Sequence, residues 1–147
     1  MLRGLPALGG RVNAADPRLA HLAIIVRDLG AQSVVPLPAL GLSVRDRASV
    51  PGEDVTVAFV PVGAADVELV QPLSPGGALG RFLDGRGEGI HHVAFRVPDL
   101  AAAIAKATRA GLRLAGDGPR TGAHGTRVAF VHPSSLHGLL LEFVEGR

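Results

Sequence analysis

The 147-residue chain contains no cysteine, no tryptophan and no tyrosine, and five phenylalanines are its only aromatic residues. Without thiols, disulfides and thiolate metal sites are excluded, and a reducing cytoplasm is the natural setting. Without Trp or Tyr, any platform for stacking bases or flat ligands has to be built from Phe alone. Lysine is almost missing as well: fourteen Arg stand against one Lys, and the formal net charge is only +2. The pI of about 10.4 reflects arginine with no Tyr or Cys to titrate against it, so it gives no argument for a nucleic-acid partner. No segment approaches the ~20 apolar residues of a membrane span. Residues 1–20 lack the apolar core of a signal peptide. We read residues 1–18 as a loose N-terminal extension and residues 19–147 as one domain.

What is present is aliphatic. At 47% hydrophobic and 19% charged, the chain has the composition of a soluble globular domain able to bury a core. Self-similarity is the strongest signal in it. HLAIIVRDL from His21 parallels HVAFRVPDL from His92, with His, an alternating apolar strand and Asp-Leu in one register. Downstream, Leu40-Gly41-Leu42 matches Ala110-Gly111-Leu112, and VTVAFVPVGAADVELV matches TRVAFVHPSSLHGLLLEFV. The two copies span about 19–71 and 90–146, joined by a linker rich in Pro and Gly over 71–89. Each reads as strand, helix and three strands. The second helix is well specified, with Asp99 as cap, LAAAIAKATRA as body and Gly111 as stop. In the first copy Pro36 and Pro38 interrupt the equivalent helix. Two copies are too few for a solenoid, so they are expected to pair into a single sheet-based cup.

Alternation along the strands assigns the faces. Leu22, Ile24 and Val26, matched by Val93, Phe95 and Val97, face the helices. His21, Ala23 and Ile25, matched by His92, Ala94 and Arg96, face the cup. Of the tandem histidines, alternation lets only one point inward, and the repeat selects His92 over His91. Glu68 and Glu142 occupy matching places in the last strand of each copy, flanked by Val, Leu and Phe, although the chain has only five Glu. Glu is depleted in strands and almost never buried unpaired. A lone strand histidine is more often a core residue, and a lone strand glutamate more often faces solvent. The four together, related by the repeat, tip the balance to a metal site. Two imidazoles and two carboxylates suit a six-coordinate divalent ion with two open positions, drawn from Co, Mn, Ni, Zn, Mg or Fe. His124 in GAHG, His132 and His137 read as turn or strand-end residues, and GRGEGI has no phosphate-loop pattern.

With these residues the chain resembles the methylmalonyl-CoA epimerase family, within the vicinal oxygen chelate superfamily that also includes glyoxalase I. The resemblance runs from about 19 to 145 and is carried by HLAIIVRDL, VAFVPVGAADVELVQPLSP, RGEGIHHVAFRVPDL and GAHGTRVAFVHPSSLHGLLLEFVE. It implies an α+β fold of two paired βαβββ modules closing into one eight-stranded, partly closed cup, in a homodimer. It implies His21, Glu68 (Gln or Glu in the family), His92 and Glu142 as metal ligands, and an acyl-CoA thioester as substrate. The family reaction inverts the carbon between a carboxylate and a thioester. Glu142 is then a proton carrier; for the second, some relatives use a Glu on the strand that here reads VTVAFV, which leaves Glu53 or a water on the metal. The prolines of the first helix and the lack of Tyr depart from the family pattern without touching the ligands. Two other readings remain: a glyoxalase I-like isomerase using the same ligands, and a metal-free protein that sequesters a small molecule. An extradiol dioxygenase fits less well, since Glu68 would fill a position needed on iron. Arg96, Arg120 and Arg127 are candidates to meet CoA phosphates.

Overall fold

The computed structural model describes residues 16–30 and 37–146. Most of the N-terminal extension, and Pro36 with most of the interrupted first helix, lie outside the described residues. Eight strands form one sheet: β1 (Arg18–Ile25), β2 (Asp46–Val50), β3 (Val55–Val62), β4 (Ala65–Pro72), β5 (Gly89–Arg96), β6 (Leu114–Thr121), β7 (Arg127–Val131) and β8 (Leu141–Glu145). Their order, β2-β3-β4-β1-β5-β8-β7-β6, is the same read outward from the centre in either direction. The repeat in sequence is thus a pseudo-twofold in space, with β1 and β5 antiparallel at its axis. Matching backbone bonds repeat across it: Val26 N donates to Val70 O, and Val97 N to Val144 O, both at 2.9 Å.

The outer face of each half carries its own apolar cluster. Val26, Leu29, Leu37, Ala58, Val60 and Leu69 pack together in the first half. Val97, Leu100 and Ala129 do so in the second, beneath α2 (Leu100–Arg109). That helix starts where the sequence asks: the Asp99 side chain accepts from Ala102 N at 2.9 Å, supplying a partner for an orphan donor of the first turn. It stops at Gly111, whose φ of +84° lets Leu112 N return to Ala107 O at 3.0 Å. In place of the first-half helix, the described residues show only a 3-10 turn over Leu37–Leu40.

The inner faces line the cup, and three contacts draw its edges together. Segment Ala123–Gly125 lies against β2 at the opposite edge. There the His124 ring meets Phe59 at 4.7 Å and Asp46 at 3.4 Å. Arg120 on β6 reaches Glu53 beside β3 at 3.1 Å. A sheet tied edge to edge in this way has to curl.

One element differs from expectation. The linker contains a helix, α1 (Ala78–Arg86). Its spaced apolar residues Leu79, Phe82 and Leu83 pack on the inner cluster of Ile25, Val50, Val55 and Val57, so burial outweighs the weak propensity of a segment punctuated by glycine. Gly80 is there for proximity: a Cβ would stand 2.5 Å from Pro75 O and 2.7 Å from Ser74 O. Gly85, in the same helix, has open space around it. Gly80→Ala is therefore expected to destabilise by about 1–3 kcal/mol through overpacking. Gly85→Ala is expected to stabilise by up to about 1 kcal/mol through propensity. Urea denaturation of both variants checks this, and equal effects of the same sign would contradict it.

Candidate metal centre

The site is assembled by strand register. At the β1–β5 seam His21 pairs with Ala94, Leu22 with Val93, and Ala23 with His92. On either side Ala23 neighbours Glu68 and Ala94 neighbours Glu142. Beyond these, Glu68 faces Phe59 and Glu142 faces Phe130. Two rows thus cross the inner face, Phe59–Glu68–Ala23–His92 and Phe130–Glu142–Ala94–His21. The fully buried alanines leave the space into which the long polar side chains fold.

Three side chains meet at one point. His21 Nε2 lies 3.1 Å from His92 Nε2 and 3.0 Å from Glu142 Oε2, and His92 Nε2 lies 2.8 Å from the same oxygen. His21 and Glu142 are only 8% and 6% exposed. Glu68 does not join this triangle: its Oε1 meets the other edge of the first imidazole, 3.1 Å from His21 Nδ1. The other ring nitrogen of His92 is held by His91, Nδ1 to Nδ1 at 2.9 Å.

The inward position of His91 corrects the strand reading, which sent it outward. Opposite β1 the register passes from Ala23↔His92 to Ile24↔Ile90, so His91 is the extra residue of a β-bulge. A bulge breaks the alternation of faces and aims both histidines into the cup. Its pseudo-twofold mate is Ala20, skipped between Leu19↔Phe95 and His21↔Ala94. The doubled histidine was visible in the sequence; the bulge was not.

Two cavities flank the donors. A cup of about 270 Å³ is walled by aliphatic residues, among them Ile25, Val55, Val57, Val70, Leu79 and Leu140, with His91, His92, Glu68 and Glu142 on its floor. Glu53 and Arg120 stand at its rim, Arg120 also 4.9 Å over the Phe130 ring. A cavity of about 260 Å³ on the other side is charged, lined by Arg45, Asp66, Arg96 and His124. His124, read from sequence as a turn residue, holds φ +54° and borders this second cavity. Arg96 donates to Gly146 O at 2.6 Å, and Arg127 pairs with Glu145 at 3.1 Å.

Comparison with known proteins follows the same line. Residues 20–130 match the Glyoxalase/Bleomycin resistance protein/Dioxygenase superfamily. The chain is 39% identical over 127 residues to the ethylmalonyl-CoA/methylmalonyl-CoA epimerase of Cereibacter sphaeroides, covering 85% of this chain and 95% of that protein. It belongs to the methylmalonyl-CoA epimerase family. The chain is accordingly an enzyme of the epimerase class, with the eight-stranded curled sheet of the vicinal oxygen chelate fold. Among solved structures, a methylmalonyl-CoA epimerase in complex with methylmalonyl-CoA and NH4+ is similar at TM-score 0.81 and 32% identity, over 88% of this chain and 94% of that one. A Streptomyces coelicolor methylmalonyl-CoA epimerase variant in complex with 2-nitronate-propionyl-CoA is similar at TM-score 0.81 and 32% identity, over 88% and 96%.

The donor set of this family member fits a divalent ion. Three ligand atoms, each about 2.1 Å from one centre in adjacent octahedral positions, stand about 3.0 Å from each other; the triangle here has edges of 2.8, 3.0 and 3.1 Å. The donors are buried nitrogen and oxygen without sulfur, which suits a borderline or hard ion. Without an ion, the clustered groups shift one another's protonation. Burial pushes Glu142 up, but the hydrogen bonds it accepts from His21 and His92 outweigh that and hold it at about 2. Burial pulls His21 down, yet its bond to Glu142 and the charges of Glu68 and Glu142 leave it raised. Glu68 is pushed by burial from its ordinary 4.5 to about 7, against the pull of His21. Burial, with His92 and Arg86 nearby, lowers His91 to about 4.

A pH dependence follows for the metal-free protein. Glu68 binds its proton more tightly folded than unfolded, so its contribution to stability declines as pH rises from 4.5 to about 7. Glu142 has the opposite sign: its contribution is present above 4.5 and lost as pH falls towards about 2. Replacing Glu68 by Gln removes the first effect, together with the part of the His21 shift that the Glu68 charge causes. Thermal melts of metal-free wild type and Glu68→Gln should therefore separate in the variant's favour as pH is raised from about 5 to about 8. A gap that stays constant across that range would contradict the raised carboxyl.

Proposed function

We propose that this chain is a metal-dependent methylmalonyl-CoA epimerase that inverts the α-carbon through an enolate-type intermediate. The observation that supports it most is the buried His21–His92–Glu142 triangle, with His92 and Glu142 on the floor of an aliphatic cup, in a chain of the epimerase family. His21, His92 and Glu142 would hold the ion; Glu68, the fourth ligand expected from the sequence, stands instead at the far edge of the His21 ring, 3.1 Å from its Nδ1. When bound, the ion supplies a Lewis acid for charge that develops on the carboxylate and thioester oxygens.

The chain's own residues do the rest. A carbon acid between a carboxylate and a thioester loses its proton to a carboxylate base, the electron pair moves into the thioester carbonyl, and a proton returned to the opposite face of the planar anion completes inversion. Glu142, whose Oε2 stands at the triangle, takes the proton on one side. Glu53 stands at the rim, at the Pro51–Glu53 turn, with its Oε1 3.1 Å from Arg120; as the carboxylic acid it gives its own proton to the other face and is left ionised, and proton exchange with water resets both groups between turnovers. In the reverse direction the two exchange roles. The aliphatic walls exclude water, which strengthens every charge interaction inside. The acyl-CoA bound to the relatives supports the substrate class, and the nitronate ligand, a planar anion with its charge on oxygen, is the shape an enolate takes. A homodimer belongs to the same reading through the family, and the absence of cysteine supports a cytoplasmic setting.

The decisive assay follows α-proton exchange of methylmalonyl-CoA in deuterated water. Wild type should exchange, lose activity on chelation and recover it with a divalent ion. Glu142→Gln should lower kcat by about 10²–10⁴-fold, and Glu53→Gln should slow inversion more than exchange, because one face is left without a carrier. Turnover of a glutathione hemithioacetal with no exchange of methylmalonyl-CoA would favour the glyoxalase-type isomerase. Ligand binding without turnover or metal would favour the sequestering protein.

A further inference from the structure

We infer that His91 is a positioning residue that fixes the ring of the metal ligand His92 through an Nδ1-to-Nδ1 hydrogen bond. The inference rests on the metal-dependent reading above and adds a residue to it. The bulge in β5 is what brings His91 to the same face as His92, and their Nδ1 atoms lie 2.9 Å apart with the rings at 79°. Two nitrogens at that distance share one proton. An imidazole that ligates through Nε2 carries its proton on Nδ1, so in the loaded site His92 donates and His91 accepts. The bond then leaves the Nε2 lone pair of His92 aimed at the point where His21 and Glu142 converge.

The internal symmetry isolates this role. Each ligand imidazole has its Nδ1 held by a neighbour, but the holders differ: Glu68 for His21 at 3.1 Å, and His91 for His92. At the bulge of the first half the chain places Ala20, which offers no polar atom, and there the carboxylate supplies the bond instead. His91 is itself fixed from behind. Its ring stands edge-on to Phe82 of α1 at 4.9 Å, so the linker helix backs the residue that holds His92.

The competing view is that His91 merely packs against Phe82. Two substitutions separate the two. His91→Phe keeps a ring against Phe82 and removes the nitrogen; His91→Asn keeps a polar atom near the position of Nδ1 and removes most of the ring. Titration calorimetry with Co(II) on the metal-free proteins, together with their thermal melts, is the test. His91→Phe should bind Co(II) about 10–100-fold more weakly than wild type, and His91→Asn should recover to within about threefold. The melting temperature of metal-free His91→Phe should stay within about 2 °C of wild type. Co(II) binding by His91→Phe as tight as wild type, or equal weakness in both variants, would overturn the positioning role while the metal reading stands. Failure of wild type to bind Co(II) or any other divalent ion would overturn the metal reading, and this role with it.

Discussion

The antiparallel seam between β1 and β5 governs this molecule. Across it His21 faces Ala94 and Ala23 faces His92, so two imidazoles from the two halves of the chain arrive two residues apart on one surface. Bringing polar side chains into an interior is expensive unless each finds a partner, and the described residues contain no buried side-chain nitrogen or oxygen without one. The seam makes this attainable because it places the parallel neighbours β4 and β8, with Glu68 and Glu142, symmetrically beside the two histidines. The catalytic proposal, the fit to an ion and the pKa directions all derive from this one registration of strands.

The halves are related by symmetry in backbone and have diverged in lining. On the cup side the sequence places Ile25, Val70 and Leu140; their pseudo-twofold mates Arg96, Val144 and Asp66 face the charged cavity. Val55 has Thr126 as its mate in the same way. Duplicated geometry thus gives the donors two differently natured surroundings: an aliphatic wall, which strengthens charge interactions and suits carbon-acid chemistry, and a charged flank. Helix α1 reinforces the difference, since it covers the aliphatic side with Ala78 and Leu79.

Curling completes the site. The donors would be exposed on an open sheet, and they are enclosed because Arg120 reaches Glu53 and His124 reaches Asp46 and Phe59 across the opposed edges. These tethers are largely exposed ion pairs and ring contacts. Each contributes modestly to stability, so their effect lies in shape: they hold the rim over a floor whose position the strands have already set.

The repeat, the eight strands, the helix at Leu100–Arg109 and the identity of His21, Glu68, His92 and Glu142 as a matched set are legible in the sequence, because each follows from local periodicity, capping or self-similarity. The linker helix was hidden by its glycines, which weaken propensity while Leu79, Phe82 and Leu83 gain their burial only from a sheet formed elsewhere in the chain. The inward turn of His91 was hidden more deeply, since a bulge is a relation between two strands and neither strand alone records it. The sequence by itself therefore determined which groups could meet an ion. Only the tertiary structure decided that three of them converge while Glu68 and His91 hold the rings from behind, since register and bulge position are set by packing between segments far apart in the chain.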